Sequence, residues 1–136
     1  MREIKFRAKC LDNGEWVDGF VLFNHDKSIA VIAKLTDMES VSENVIPNTI
    51  GQFTGLHDKN GKDIFEGDIV KRERKSLRVR GFPEKTYSEV GYIGFKRNDG
   101  RYVMVTSNSE CSLCEPYAVQ MEVIGNIHDN PELINN

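Results

Sequence analysis

The sequence lacks the long apolar segment that a membrane protein requires. Its longest aliphatic run covers only Ile29 to Ala33, whereas a membrane-spanning helix needs about 18 apolar residues. Residues 1–7 alternate charged and apolar side chains, without the apolar centre or cleavage site of a secretory signal. Cysteine is also scarce, and its odd count of 3 does not suit a disulfide framework. We therefore expect a cytoplasmic protein without a membrane partner.

A second absence is that of extended helical periodicity. No helical pattern longer than about two turns is found, which disfavours enzymes built from βαβ units. Apolar residues instead recur with period two, as at Ile4, Phe6 and Ala8, which predicts half-buried strands. The 136 residues suffice for one domain with a true hydrophobic core. The expected fold class is therefore all-β, with at most short helical turns.

Residues 1–48 are predicted to form an N-terminal β-meander and a connector. Polar turns separate the strand patterns, and in the first turn, Asn13-Gly14, both residues tolerate the positive φ of a tight hairpin. Residues 36–48 are polar and acidic. We interpret them as a connector, in which 37–41 could form one helical turn. The strand patterns of the meander are 4–8, 16–23 and 28–35.

Residues 49–136 are predicted to form a second β-rich region that packs with the first as one compact unit. Its clearest turn signals are Asp58-Lys59-Asn60-Gly61 and Asn98-Asp99-Gly100. Residues 107–116 are interpreted as a loop, and Pro131 is predicted to begin a terminal helical turn, since proline suits the first helical position. The strand patterns of this region are 52–56, 62–65, a strand from Ile69, 89–97, 101–106, and 117–127 with a bend at Gly125.

The most biased segment is the basic stretch, residues 71–80. It carries a net charge of +5, whereas the other residues together carry −8. Such a segment can contact phosphates and release counterions from a nucleic acid, with Phe82 able to stack on an exposed base. On an edge strand, the same pattern would instead block edge-to-edge aggregation. The six basic residues are Lys71, Arg72, Arg74, Lys75, Arg78 and Arg80.

The overall charge opposes nucleic-acid binding as the main function. The chain has a pI of about 5.6, whereas nucleic-acid-binding proteins are usually basic. The acidic N-terminal half could instead face the basic stretch of a neighbouring molecule, and open sheet edges commonly pair. Nucleic-acid binding predicts that the arginines of the basic stretch are exposed. Assembly predicts that several of them pair with acids across an interface.

The residue pattern gives metal and catalytic sites little support. Cys111 and Cys114 have the C-x-x-C spacing that lets two thiolates share a metal, but no second paired spacing supplies the other ligands. The calcium-like turn at Asp58-x-Asn60-Gly61 places Leu56 and Gly67 where side-chain oxygens are needed. We therefore expect no catalytic residues, no metal and no cofactor, with the cysteine pair as the only candidate ligands and two incidental loop thiols as the favoured interpretation.

Three segments at the two ends and the centre of the chain carry a family resemblance. They are residues 1–8 (MREIKFRA), residues 52–70 with QFTGL, DKNGK and IFEGDIV, and residues 122–133 with EVIGNI and DNPEL. Together, in this order, they resemble the YopX family of phage and prophage proteins. Lys9-Cys10 stands where the family usually has Trp-Asp after its first strand.

The resemblance implies a phage or prophage origin and a small SH3-like barrel in the C-terminal region. It brings no reaction, and its motifs are interpreted as turns and as core positions. We therefore expect a non-enzymatic accessory protein of the bacterial cytoplasm that acts as a protein-binding or self-assembling β module. The expected partner is a second copy or a host or phage protein, with nucleic acid as the alternative and no small-molecule substrate. The core candidates are Phe53, Phe65, Ile69, Ile124 and Ile127.

Overall fold

The computed structural model describes residues 3–25, 30–36, 39–76 and 79–134. Almost all of its regular structure is antiparallel β-sheet, which confirms the all-β prediction. The chain divides into two units, Met1–Gly55 and Leu56–Asn136, and each contains its own hydrophobic cluster.

The elements of the described residues are short. The strands are β1 (Phe6–Lys9), β2 (Trp16–Phe23), β3 (Ala30–Thr36), β4 (Glu39–Val45), β5 (Gly51–His57), β6 (Asp63–Phe65), β7 (Asp68–Lys75), β8 (Thr86–Lys96), β9 (Arg101–Val105), β10 (Glu110–Ser112) and β11 (Met121–Asn126); helix α1 is Glu115–Ala118, and single 3-10 turns lie at Pro47–Thr49 and Pro131–Leu133. The second 3-10 turn has Pro131 at its start, as predicted.

The first unit is built on the predicted meander. Its strands follow the order β4-β3-β2-β1-β5, with β6 next to β5 in the same sheet. The boundary between the units falls within β5. The β1–β2 hairpin has Gly14 at φ 71°, the left-handed conformation that glycine adopts without a steric penalty. The hairpin that was predicted from Asn13-Gly14 is therefore confirmed.

Strand β4 lies within the segment that was predicted to be a connector, so that prediction is wrong for 39–45. The strand pairs with β3 from Thr36↔Glu39 to Ala30↔Val45. Residues 37 and 38, part of the proposed helical turn, lie outside the described residues. Among the described side chains of β4, only Val45 is buried. Because β4 is an edge strand, its polar residues suit an exposed edge and leave little apolar alternation to detect.

The core of the first unit contains a cluster of small and medium-sized side chains, and Phe53 of the same unit is also buried. The buried cluster is Ala8, Ala30, Ile32 and Val45, with Val17, Val21 and Ile50 packed against it. The β2–β3 register places Val21 opposite Ile32, so these residues share the core face of the sheet.

The second unit contains a five-stranded sheet in the order β10-β9-β8-β7-β11. This order is open, with β10 and β11 at opposite edges, so the SH3-like barrel implied by the family resemblance is not confirmed. Strand β7 lies between β8 and β11. The alternative interpretation of the basic stretch as an edge strand is therefore wrong at Lys71 and Arg72, which β11 covers, but it fits Glu73 to Lys75, which pair only with β8.

The segment 107–127 also differs from its predicted structure. Cys111 lies on strand β10, opposite Met104 of β9, rather than in a loop. Tyr117 lies on helix α1, and the last strand starts only at Met121. The register of this strand against β7 shifts between Val123 and Gly125, which confirms the predicted bend.

The core of the second unit is larger than that of the first. Its buried cluster is Ile64, Val70, Ile93, Met104, Ala118 and Met121. Of the predicted core residues, Phe53, Phe65 and Ile69 are buried. Ile124 and Ile127 are only half-buried.

Candidate functional site

The Asp58–Lys62 motif holds the fold of the second unit together. The Asp58 carboxylate is 4% exposed and accepts hydrogen bonds from three backbone N–H groups, those of Asn60, Lys62 and Val123, each at 2.9 Å. Burial alone would raise the pKa of this carboxyl, but the three N–H donors and the charge of Lys62 outweigh it and lower the pKa. Asp58 therefore joins its own turn to β11.

The other acidic and amide groups of the family-like segments also make backbone contacts. Asp68 accepts a hydrogen bond from the N–H of Phe65 at 2.8 Å and is buried. The Asn126 side-chain oxygen accepts from the N–H groups of His128 and Asp129. A Cβ at Gly125 would lie 2.5 Å from the side-chain oxygen of Asn130. These residues stabilise turns and strand ends, as the sequence interpretation of the motifs proposed.

The basic stretch lies on β7 and on the loop that follows it. β11 pairs with β7 only as far as Arg72↔Met121, and β9 pairs with β8 only from Tyr92↔Val105 onward. Beyond those positions β7 and β8 pair only with each other, from Glu73↔Ser88 to Lys75↔Thr86. We call residues 71–76 and 79–90 the β-ribbon.

A carboxylate bridges two arginines at the base of the β-ribbon. Glu89 accepts a hydrogen bond from Arg72 Nε at 2.9 Å and from Arg74 Nη1 at 3.2 Å. Burial opposes ionisation of Glu89, but the two guanidinium groups hold its pKa below the usual value. The Arg72 side chain is 13% exposed and that of Arg74 is 60% exposed. The assembly hypothesis expected such pairs across an interface, but these are formed within one chain.

The remaining basic residues of the stretch are mostly accessible. Lys71, Lys75 and Arg80 are exposed, whereas Arg78 lies outside the described residues. At the far end of the β-ribbon, Ser76 and Lys85 are joined by two hydrogen bonds, the N–H of Ser76 donating to the Lys85 carbonyl and the N–H of Lys85 donating to Ser76 Oγ.

A groove of about 550 Å³ runs beside the base of the β-ribbon. Its lining includes Arg72 and Arg74, with Tyr117 and Gln120 from the helix α1 region, and Cys111 from β10. The structure therefore brings one cysteine of the C-x-x-C pair to the basic residues. Sequence reasoning missed this because residues 107–116, which include β10, were interpreted as a loop, and residues 117–127, which include part of α1, were interpreted as a strand.

The cysteines are in two different environments. Cys10 is buried, and its thiol donates a hydrogen bond to Glu43 Oε2. This hydrogen bond, burial and the nearby carboxylates raise the pKa of Cys10 to about 11. Cys111 and Cys114 are half-buried free thiols, and Cys114 lies directly before the four-residue helix α1. Within the described ranges, no three or more His, Cys, Asp or Glu side chains are clustered as metal ligands.

The first unit carries a second candidate surface, which the sequence reasoning did not identify. Phe20 and Leu22 of β2 are 56% and 58% exposed, and they lie opposite Ala33 and Val31 of β3. Directly paired and alternate residues project from one side of a sheet. These four residues form one apolar face, exposed at Phe20 and Leu22 and half-buried at Val31 and Ala33, which we call the apolar patch. The only sequence signal for this patch is that strand β2 has apolar residues on both of its faces.

A cleft of about 300 Å³ borders the apolar patch. Its lining includes Ile4, Phe20 and Ala33, together with the charged side chains of Lys5 and Asp18. Ile4 is also largely exposed. The patch therefore combines an apolar centre with a border that carries both signs of charge.

Comparison with known proteins gives the family. The family model described as YopX protein matches residues 5–135. The chain belongs to the YopX family. A crystal structure of protein EF1440 from Enterococcus faecalis is similar to this YopX protein, with 27% sequence identity, a TM-score of 0.61, and coverage of 99% of this chain and 100% of that chain. No curated protein matches it.

The family assignment agrees with the motif interpretation without adding a reaction. The matched residues include the carboxylate Asp58 and the β-ribbon. Every helix in the described part of this YopX protein falls short of what a membrane span requires.

Proposed function

We propose that this YopX protein is a non-enzymatic phage or prophage accessory module that self-associates through the apolar patch in the bacterial cytoplasm. The observation that carries the proposal is the exposure of Phe20 and Leu22 on one sheet face. Contiguous exposed apolar side chains on a folded protein usually mark an interaction site.

The composition of the first unit supports this use of the patch. Its core contains Ala8 and Ala30, while a phenylalanine and a leucine of the same sheet are exposed to solvent. If folding alone decided their placement, these larger side chains would gain more by burial, roughly 1.5 to 3 kcal/mol each. Their exposure is therefore better explained by a partner surface than by the stability of the unit.

The apolar centre of the patch favours a second copy as the partner. A two-fold interface brings the same patch from each molecule together, so the surface must complement itself. The charged residues of the neighbouring cleft are Glu3, Lys5 and Asp18, and Lys5 lies 3.7 Å from Glu3 of its own chain. The exposed apolar side chains, which complement their own copies, would therefore carry the contact.

The titratable groups support a non-enzymatic role. Asp58 and Glu89, whose pKa values are lowered, are both held in structural contacts with backbone N–H groups or arginines. The buried thiol of Cys10 is protonated at neutral pH, and its pKa of about 11 makes it harder to ionise than an ordinary thiol. None of these groups is poised for proton transfer near pH 7.

Sedimentation velocity over a range of protein concentrations tests the proposal. We expect the wild type to sediment as a species heavier than the 15.5 kDa monomer as concentration rises. Phe20→Ser with Leu22→Ser should return it to the monomer, because both side chains would lie in the contact. The matched control is Phe82→Ser, which removes an exposed aromatic residue of the second unit and should leave association unchanged.

Two results would overturn the proposal. One is a wild type that remains monomeric at every concentration. The other is a double variant that associates as strongly as the wild type while its circular dichroism spectrum is unchanged.

A further inference from the structure

We propose that the β-ribbon binds double-stranded DNA, with its basic side chains on the phosphates and Phe82 at its tip against the bases. This proposal goes beyond self-association and does not depend on it. It rests on the geometry, charge and exposed aromatic residues of the β-ribbon.

The geometry is that of a free two-stranded ribbon. Between Glu73 and Gly91, β7 and β8 form strand pairs only with each other. Ser76 and Lys85 close its far end through two hydrogen bonds. A two-stranded β-ribbon fits the major groove of B-form DNA, whereas the major groove of A-form RNA is too narrow. This geometry therefore predicts a preference for duplex DNA over duplex RNA.

The charge of the ribbon is opposite to that of the whole chain. Its described part carries six basic and three acidic residues, in a protein of net charge −3. Two of the six, Lys71 and Arg72, lie where β11 also pairs with β7, so the two-stranded part from Glu73 onward carries four basic and three acidic residues. The arginines at its base are paired with Glu89, so Arg74 keeps its other N–H groups for a phosphate. Three of the accessible basic residues lie on β7, and two lie near the tip. The accessible basic residues are Lys71, Arg74, Lys75, Arg80 and Lys85.

The tip carries apolar side chains where a ribbon of purely structural purpose would be polar. Phe82 is 73% exposed, and Val79 and Tyr87 are also exposed. The N–H of Phe82 donates to the Val79 carbonyl, and Gly81 has φ 92°, so a tight turn presents the Phe82 ring. In the major groove, an apolar side chain such as Phe contacts the methyl group of thymine, which is the base contact that the exposed Phe82 ring would make.

The affinity for duplex DNA should depend steeply on salt. If about four of the accessible basic residues contact phosphates, the logarithm of the association constant should fall against log salt with a slope of about −3 to −4. Fluorescence anisotropy with a labelled short DNA duplex measures this slope. The comparison includes an RNA duplex of the same sequence and one single strand of the DNA duplex. We expect both to bind more weakly than the DNA duplex.

Substitutions in the ribbon separate phosphate contact from tip contact. Arg80→Gln with Lys85→Gln should weaken binding and reduce the salt slope by about 2. Phe82→Ala should weaken binding by about tenfold at every salt concentration and leave the slope unchanged. The matched control is Arg97→Gln, an exposed arginine of the same unit that follows β8 at the end opposite the ribbon. All of these residues are exposed, so thermal melting should match that of the wild type.

Three outcomes would overturn the inference. The first is no binding of any nucleic acid at low salt. The second is binding that the ribbon variants leave unchanged, or that Arg97→Gln weakens equally. The third is stronger binding of the single strand or of duplex RNA than of duplex DNA, because the ribbon would then not be docking in the DNA major groove. The Phe20 and Leu22 variants, which test self-association, should still bind DNA.

Discussion

The two units of the chain differ in the side chains that fill their buried clusters. In the first unit, Ala8 and Ala30 belong to the cluster while Phe20 and Leu22 of the same sheet face solvent. In the second unit, large aliphatic and methionine side chains form most of the cluster. Both units also expose large apolar side chains, Phe82 among them in the second, so exposure alone does not tell the units apart, and the difference lies in the size of the side chains that each cluster buries.

The two units also differ in the polar side chains that they bury. The second unit buries Asp58, Asp68 and Asn126 in backbone hydrogen bonds. Each of these groups would be costly without its donors or acceptors, so each ties a specific turn to a specific strand. The comparison teaches that apolar patterning alone does not distinguish a core residue from an interface residue. The polar contacts of each unit are needed as well.

The largest expected effect contrasts a core side chain with a patch side chain. Met104→Ala should lower the free energy of unfolding by about 2 to 5 kcal/mol, since it leaves a cavity in the second core. Leu22→Ala should cost under about 0.5 kcal/mol in the monomer, because its side chain is largely exposed. Urea denaturation at low protein concentration measures both. Equal losses for the two variants would contradict the comparison.

How far the fold follows from the sequence depends on how local each signal is. The hairpins at Asn13-Gly14 and Asn98-Asp99-Gly100 were predicted because glycine and asparagine tolerate the positive φ that a tight hairpin turn requires. Strand β4 was missed because an edge strand with one described buried residue, Val45, carries little period-two signal. The position of β7 inside its sheet was missed for another reason. Its neighbour β11 lies far along the chain, and local sequence does not report strand order.

The candidate surfaces were accessible from the sequence to different degrees. The basic residues of 71–80 form a local run, so composition alone identified them. The apolar patch depends on which face of β2 turns inward, and β2 has apolar residues on both faces, Val21 inside and Phe20 outside. Only the packing of the sheet distinguishes them.

The next expected effect concerns the buried carboxylate of the second unit. Asp58→Asn should cost about 1 to 3 kcal/mol, because an amide cannot accept all three backbone hydrogen bonds. The lowered pKa of Asp58 means that its carboxylate stabilises the fold at neutral pH, and that this stabilisation is lost as pH falls from the ordinary value of 3.8 through the folded-state value. The difference between wild type and variant should therefore shrink in acid.

The control for Asp58 is an exposed carboxylate of the same unit. Asp99 pairs with Arg101 at 3.2 Å on the surface, and Asp99→Asn should change stability by under about 0.5 kcal/mol. Chemical denaturation at pH 7 and in acid gives both values. A pH-independent difference for Asp58→Asn would show that its charge does not carry the effect.

A smaller effect is expected at the bridge between the arginines. Glu89→Gln should lower stability by about 1 kcal/mol or less, since the pair is only partly shielded from solvent. The same substitution removes a negative charge beside Arg72 and Arg74, so it should tighten DNA binding while it weakens the fold. Thermal melting and anisotropy measure the two effects. If Glu89→Gln lowered both the melting temperature and the affinity for DNA, the charge of the ribbon would not determine DNA binding.

The last prediction involves no change of stability and compares the cysteines of the two units. At pH 8 a thiol with a pKa of about 11 is about one-thousandth thiolate, and Cys10 is also buried. Alkylation with iodoacetamide should therefore modify Cys111 and Cys114 well before Cys10. Peptide mass spectrometry over time gives the order. Early modification of Cys10 would show that its contact with Glu43 opens in solution.

The contact from Asp58 to Val123 spans 65 residues of the chain, and this distance has a consequence for the order of synthesis. The turn at Asp58-Gly61 leaves the ribosome long before the strand that donates the third hydrogen bond to its carboxylate. Until β11 arrives, an ionised carboxylate has no complete set of donors and must stay hydrated. The second unit therefore cannot complete its structure while the chain is still being made. Its folding requires the closure of a long loop, which is a slow and entropically costly step.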